Sequence, residues 1–126
     1  MTIDNLKIEF EKKFNKPAEH IFFSPGRVNL IGEHIDYNGG MVMPCAITMG
    51  TTLLVARNND NIFRFRAVDF PETTDVPMQS AYSKTGDEWF NYPVGVINEF
   101  TNAGIELTGL DFLFSGNLPI GSGLSS

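Results

Sequence analysis

Over residues 63–67 the chain alternates strictly between apolar and basic side chains, with Phe63, Phe65 and Ala67 set against Arg64 and Arg66. A period of two fits only an extended strand with one face buried and the other wet. Leu110, Phe112 and Phe114 repeat the alternation near the C-terminal end. Helical spacing appears twice. Ile3, Leu6, Phe10 and Phe14 predict a surface helix over 3–14, with Thr2 or Asp4 as its N-cap. Trp89, Tyr92, Val96, Ile97 and Phe100 predict a second helix that starts near Asn91, keeps Pro93 in its first turn and is capped by Gly104.

The segments between are shorter. Residues 20–23 read as a strand entering Ser24-Pro25-Gly26, and 27–31 as a second extended piece ended by Gly32. Asn38-Gly39-Gly40 is turn chemistry that leads into apolar residues 41–47. Residues 51–57, the turn-like Asn58-Asn59-Asp60-Asn61 and residues 62–68 predict a β-hairpin. Residues 69–88 are polar and hold two prolines; a structureless loop of that length is uncommon, so an edge strand is expected within it.

Composition excludes several classes. Nine Lys plus Arg stand against fifteen Asp plus Glu, a net charge of −6. Nucleic acid and anionic membrane surfaces need clustered cations, so both are poor partners for this chain. No apolar run approaches the roughly 20 residues of a membrane span, and the opening residues lack a signal-like core. Cys45 is the single cysteine, so no internal disulfide points to an oxidising compartment, and a cytoplasmic location is expected. The sequence closes on Gly121-Ser122-Gly123-Leu124-Ser125-Ser126, a loop that needs a following element to hold its shape; a truncated chain is the expectation.

Two clusters carry chemistry. A strand running into that Gly-Ser loop suits a phosphate cradle, because glycines admit the anion close to backbone N–H groups and serine hydroxyls add donors or a metal ligand. It is not a Walker A loop, since no Lys follows the glycines. Thr85 to Ser126 contains no Lys or Arg, so phosphate there would depend on backbone amides, a helix dipole and a divalent cation. A flexible Gly-Ser tail is the competing reading. The second cluster, residues 24–40, gathers Arg27, Glu33, His34 and Asp36 beside glycines and a proline. Glu33 and Asp36 suit neighbouring sugar hydroxyls, with His34 as a further donor or acceptor, and Arg27 suits charge on a transferring phosphoryl group. Capping carboxylates with a satisfied histidine are the structural alternative. His34-Ile35-Asp36 also has the H-x-D form of metal-dependent hydrolases, but such a centre needs more ligands than are visible.

Arg27-Val28-Asn29-Leu30-Ile31-Gly32-Glu33-His34-Ile35-Asp36-Tyr37-Asn38-Gly39-Gly40 resembles the galactokinase signature. Leu118-Pro119-Ile120-Gly121-Ser122-Gly123-Leu124-Ser125-Ser126 resembles the start of the ATP motif of the GHMP kinases. The segment Trp89-Phe90-Asn91-Tyr92-Pro93-Val94-Gly95-Val96-Ile97 is similar to its galactokinase counterpart, with Pro93-Val94 departing from the usual residues. The resemblance implies an α+β fold of the ribosomal protein S5 domain 2-like type, a mixed β-sheet of left-handed βαβ kind with packed helices, incomplete at its C-terminus. It divides 1–126 into a galactose-binding signature at 24–40 and the start of an ATP-binding motif at 117–126, with the C-terminal GHMP domain absent.

The implied reaction is phosphorylation of D-galactose by ATP, with Mg2+, at the anomeric hydroxyl. Glu33, His34, Ile35 and Asp36 would bind the sugar and Arg27 would stabilise the transition state. Gly121, Ser122, Gly123, Leu124, Ser125 and Ser126 would hold the nucleotide phosphates, with Trp89 near the adenine. The family's catalytic Asp and magnesium-binding Glu would follow Ser126, so the remainder of the kinase chain would be needed for turnover. A non-catalytic galactose-binding regulator and an N-acetylgalactosamine kinase are the alternatives on the same scaffold.

Overall fold

The computed structural model describes residues 1–32 and 34–119. Helix α1 (Ile3–Phe14) precedes strands β1 (His20–Ile31), β2 (Met43–Arg57), β3 (Ile62–Ala67) and β4 (Thr74–Pro77), then helix α2 (Asn91–Asn102) and strand β5 (Leu110–Gly116). The strands form one mixed sheet in the order β1-β2-β5-β3-β4. β5 runs antiparallel to β2 and parallel to β3, so the path from β3 through β4 and α2 returns the chain to the middle of the sheet.

Each face of the sheet carries one helix. Leu6 and Phe10 of α1 bury against Leu54, Ala56 and Leu113, while Val94 and Ile97 of α2 bury against Val55, Phe63, Phe65 and Phe112 on the other face. Phe65 and Phe112 stack across the parallel β3–β5 pair with centroids 5.1 Å apart. The caps follow local chemistry. Thr2 Oγ1 accepts from the Asn5 N–H at 3.3 Å, with Asp4 in the first turn and Lys12 and Lys13 in the last, as the helix dipole favours. At the end of α2, Gly104 takes φ 75°, its N–H reaches the Thr101 carbonyl, and Ile105 N–H reaches that of Phe100. That is the Schellman arrangement, which glycine makes possible.

Four expectations change. The hairpin over 51–57 and 62–68 does not form, because β5 lies between β2 and β3. The reason sits in the turn. Asn58 N–H donates to the Gly109 carbonyl at 2.9 Å, and its Nδ2 donates to the Ile62 carbonyl and to Asp111 Oδ1, so the residues that resemble a hairpin turn hold the entry of β5 instead. Residues 20–23 and 27–31 are one strand, and residues 41–47 and 51–57 largely merge into β2; Pro25 is tolerated because β1 is an edge strand. The basic face of β3 is not simply wet. α1 covers it, and Arg66 lies 5.8 Å over the Phe14 ring and pairs with Asp75. In α2, Val94 and Ile97 are the buried positions, whereas Tyr92, Val96 and Phe100 face outward.

The same face contains a buried carboxylate. Asp111 is only 1% exposed, and it accepts from Lys16 Nζ at 2.6 Å, Arg64 at 3.1 Å and Asn58 at 2.8 Å. Asp60 and Asp111 together raise the Arg64 guanidinium above its ordinary pKa, Asp60 contributing most.

Candidate functional site

The site is assembled around an irregularity in β1. Pro25 opposes Gly50 but Arg27 opposes Ala46, so the register shifts between them. A Cβ on Gly50 would lie 2.1 Å from the Ser24 carbonyl oxygen and 2.8 Å from Pro25 Cα, so only glycine allows the strands to close at this point. Gly50 also receives the end of β5. Its N–H donates to Asn117 Oδ1 at 2.7 Å and its carbonyl accepts from Asn117 N–H at 3.2 Å. The entry of the glycine-rich segment is therefore fixed beside the bulge, two positions from Arg27, whose side chain is exposed.

Beyond β1 the chain folds into a compact loop. Gly32 takes φ 98°, and a Cβ there would lie 2.7 Å from the Met41 carbonyl oxygen. Ile35 N–H donates to the Gly32 carbonyl at 3.2 Å, and the Ile35 carbonyl accepts from Asn38 and Gly40 at 3.0 and 2.9 Å. Gly40 lies flat on Ile35, where a Cβ would meet Ile35 Cγ2 at 2.2 Å. His34 has φ 60°, uncommon for a residue with a side chain. Its carbonyl accepts from Asn38 Nδ2 at 3.1 Å, and its Nδ1 is 3.2 Å from the Tyr37 hydroxyl. The imidazole and Ile35 lie exposed. Asp36 opens the 3-10 turn Asp36–Asn38, its side chain lying outside the description; Glu33 and Gly121 to Ser126 lie outside the described residues.

A third part lies on the α2 side. An open cavity of about 730 Å3 is lined by Trp89, Phe70, Phe114, Tyr92, Asp69 and Leu118 among others. Trp89 stacks near-parallel to Phe70 with centroids 6.3 Å apart and meets Phe114 edge-on at 5.6 Å. Its Nε1 is buried without a hydrogen-bond partner among the described residues. Asp69 Oδ2 accepts from Gly116 N–H at 3.0 Å, which sets the cavity beside the exit of β5. A mostly apolar concavity with few polar groups is the usual form of a small-molecule site. Among the described residues, no group of three His, Cys, Asp or Glu side chains is placed to hold a metal ion.

The fold thus gathers, at the end of the sheet where β5 exits, the start of the glycine-rich segment and the Trp89 cavity, with Arg27 close by on β1. Sequence reasoning gave no role to Phe70, Asp69, Asn117 or Tyr37. Tyr37 carried a signal, since it lies three residues from His34; Phe70 and Asp69 carried none, because their partners, Trp89 and Gly116, lie far along the chain.

Residues 8–57 match the model of the galactokinase galactose-binding signature. The chain is 48% identical to a galactokinase of Clostridium beijerinckii over 98% of its own length and 33% of the relative's, and 46% identical to one of Clostridium tetani over 100% and 32%. It spans about a third of the length of the curated relatives it matches. A crystal structure of Lactococcus lactis galactokinase complexed with galactose superposes with a TM-score of 0.89 at 38% identity, covering 100% of this chain and 34% of that one. The Methanococcus jannaschii mevalonate kinase superposes at 0.69 with 23% identity over 83% of this chain and 34% of its own, a likeness of fold alone.

Proposed function

Because this chain carries the galactose-binding domain of the galactokinase family, on a GHMP kinase fold, we propose that it supplies the sugar-binding part of a galactose kinase. The reaction is transfer of the ATP γ-phosphoryl group to the anomeric hydroxyl of D-galactose, giving α-D-galactose 1-phosphate for galactose metabolism in the cytoplasm. One observation carries the reading: the whole chain superposes on a galactokinase that holds galactose.

In this reading the loop after β1 binds the sugar. Glu33 and Asp36 accept from its hydroxyls, His34 adds a directed contact, and Ile35 contributes from the surface of the same turn. Carboxylates that would be left unpaired by an epimer give such a site its selectivity. Arg27, held on a strand rather than a loop, stabilises charge on the transferring phosphoryl group. Gly121, Ser122, Gly123, Leu124, Ser125 and Ser126 cradle the nucleotide phosphates, and their entry is anchored by the Asn117–Gly50 pair. The Trp89 and Phe70 rings offer a flat apolar wall to the adenine. ATP is the phosphoryl donor. Mg2+ accompanies ATP as the family's cofactor; among the described residues no group of three His, Cys, Asp or Glu side chains is placed to hold a metal ion. No described helix is long and apolar enough to cross a membrane.

The 126 residues alone bind sugar without turning it over, a reading supported by their covering a third of their relatives' length. Galactose-dependent ADP release by the full-length protein tests the reaction. Release with N-acetylgalactosamine in preference to galactose would identify a sister kinase, and galactose binding without release would identify a non-catalytic regulator.

A further inference from the structure

We propose that Tyr37 is a positioning residue for His34, fixing the imidazole tautomer and ring direction that the loop presents to a sugar hydroxyl. This rests on the galactose reading of the loop given above.

His34 stands in the left-handed region at φ 60°, a conformation that persists in a non-glycine residue only where its surroundings hold it. It is held at both ends. Asn38 Nδ2 donates to its carbonyl at 3.1 Å, and the Tyr37 hydroxyl meets ring Nδ1 at 3.2 Å. Tyr37 lies three residues on, within the 3-10 turn, and its ring meets the imidazole edge-on at 72° with centroids 6.2 Å apart. Tyr37 is itself 72% exposed, so the fold does not need its side chain for burial.

The contact admits two arrangements, Tyr37 O–H to Nδ1 or Nδ1–H to the phenol oxygen; the positioning role takes the first, with the Tyr37 hydroxyl donating to Nδ1 and the ring proton on Nε2. The loop then offers a donor at Nε2–H. Ionised Glu33 and Asp36 can only accept. In the galactose reading, a fixed donor from His34 joined to the acceptor chemistry of Glu33 and Asp36 makes a hydrogen-bond pattern that an epimer would leave partly unpaired, and Tyr37 sets the donor half.

The test uses the protein at full length with labelled histidine. In the wild type, the Nδ1 and Nε2 15N shifts of His34 should be well separated, and Tyr37→Phe should draw them together as the tautomers mix. Calorimetry should show galactose Kd rising about fivefold in Tyr37→Phe, the effect of losing one hydrogen bond, with ATP affinity unchanged. His34→Ala separates the two levels. If His34→Ala leaves galactose affinity unchanged, the galactose reading of the loop fails. If His34→Ala weakens binding while Tyr37→Phe alters neither the shifts nor the affinity, or alters the shifts alone, the positioning role is overturned and the sugar site stands.

Discussion

Replacing Asp111 by Asn keeps the volume of the side chain and removes one charge from the centre of the α1 face. In the folded protein that carboxylate is 1% exposed and accepts from Lys16, Arg64 and Asn58. The amide that replaces it turns a donor either toward Lys16, which then keeps only the Arg57 carbonyl, or toward Arg64, which then keeps only its exposed partners Asp60 and Asp75. Breaking a buried pair from one side typically costs about 3–5 kcal/mol. Lys16 and Arg64 keep 30% and 25% of their side-chain surface exposed, so water recovers part of this loss. We expect about 3 kcal/mol, at the lower end for that reason. With a urea slope near 1.5 kcal/mol/M, the unfolding midpoint should fall by about 2 M. The control is Asp60→Asn, which removes a carboxylate from the same guanidinium at a site 55% exposed and should cost about 0.5 kcal/mol. Urea titration followed by circular dichroism measures both. Equal midpoints for the two variants, or a loss under about 1 kcal/mol for Asp111→Asn, would refute the view that burial gives this cluster its weight.

Other outcomes follow from the site. Gly50→Ala should destabilise the fold by about 2 kcal/mol, because its Cβ would lie 2.1 Å from the Ser24 carbonyl, and urea titration reads it. Adenine nucleotide should change the fluorescence of Trp89, the chain's sole tryptophan, and Phe70→Ala should weaken the nucleotide without altering galactose affinity, as paired titrations would show. Arg27→Ala should lower kcat by about 100-fold or more with little change in galactose KM, while Asp36→Ala should raise KM, which steady-state kinetics separates.

Local chemistry was readable where local forces decide. The Thr2 cap, the Pro93 first turn and the Gly104 terminus are all set within a few residues, so α1 starts at its cap and α2 ends at its glycine, although Phe90 at the head of α2 supplies no side-chain cap. The alternation in β3 likewise gave the buried face correctly. What the chain could not disclose was long-range pairing. Asn58-Asn59-Asp60-Asn61 has hairpin chemistry, and nothing adjacent shows that Gly109 and Asp111, some fifty residues on, compete for it. For the same reason Asp111 reads in the sequence as one acid among fifteen rather than the hub of a buried ion-pair cluster. The loop over residues 32–40 was legible as residue types packed together, since the hydrogen bonds of its described residues run within it. The Trp89 cavity was half legible, because Phe70 reaches it from the connection between β3 and β4 and Phe114 from β5.

The central claim is that this chain binds galactose for phosphoryl transfer. Calorimetric titration of the full-length protein with D-galactose, D-glucose and N-acetylgalactosamine, paired with its ADP release under Mg-ATP, tests it most directly. The account predicts saturable binding of D-galactose, at least tenfold weaker binding of its epimer, and ADP release that requires galactose. Galactose and glucose binding alike, or ADP release indifferent to galactose, would contradict it.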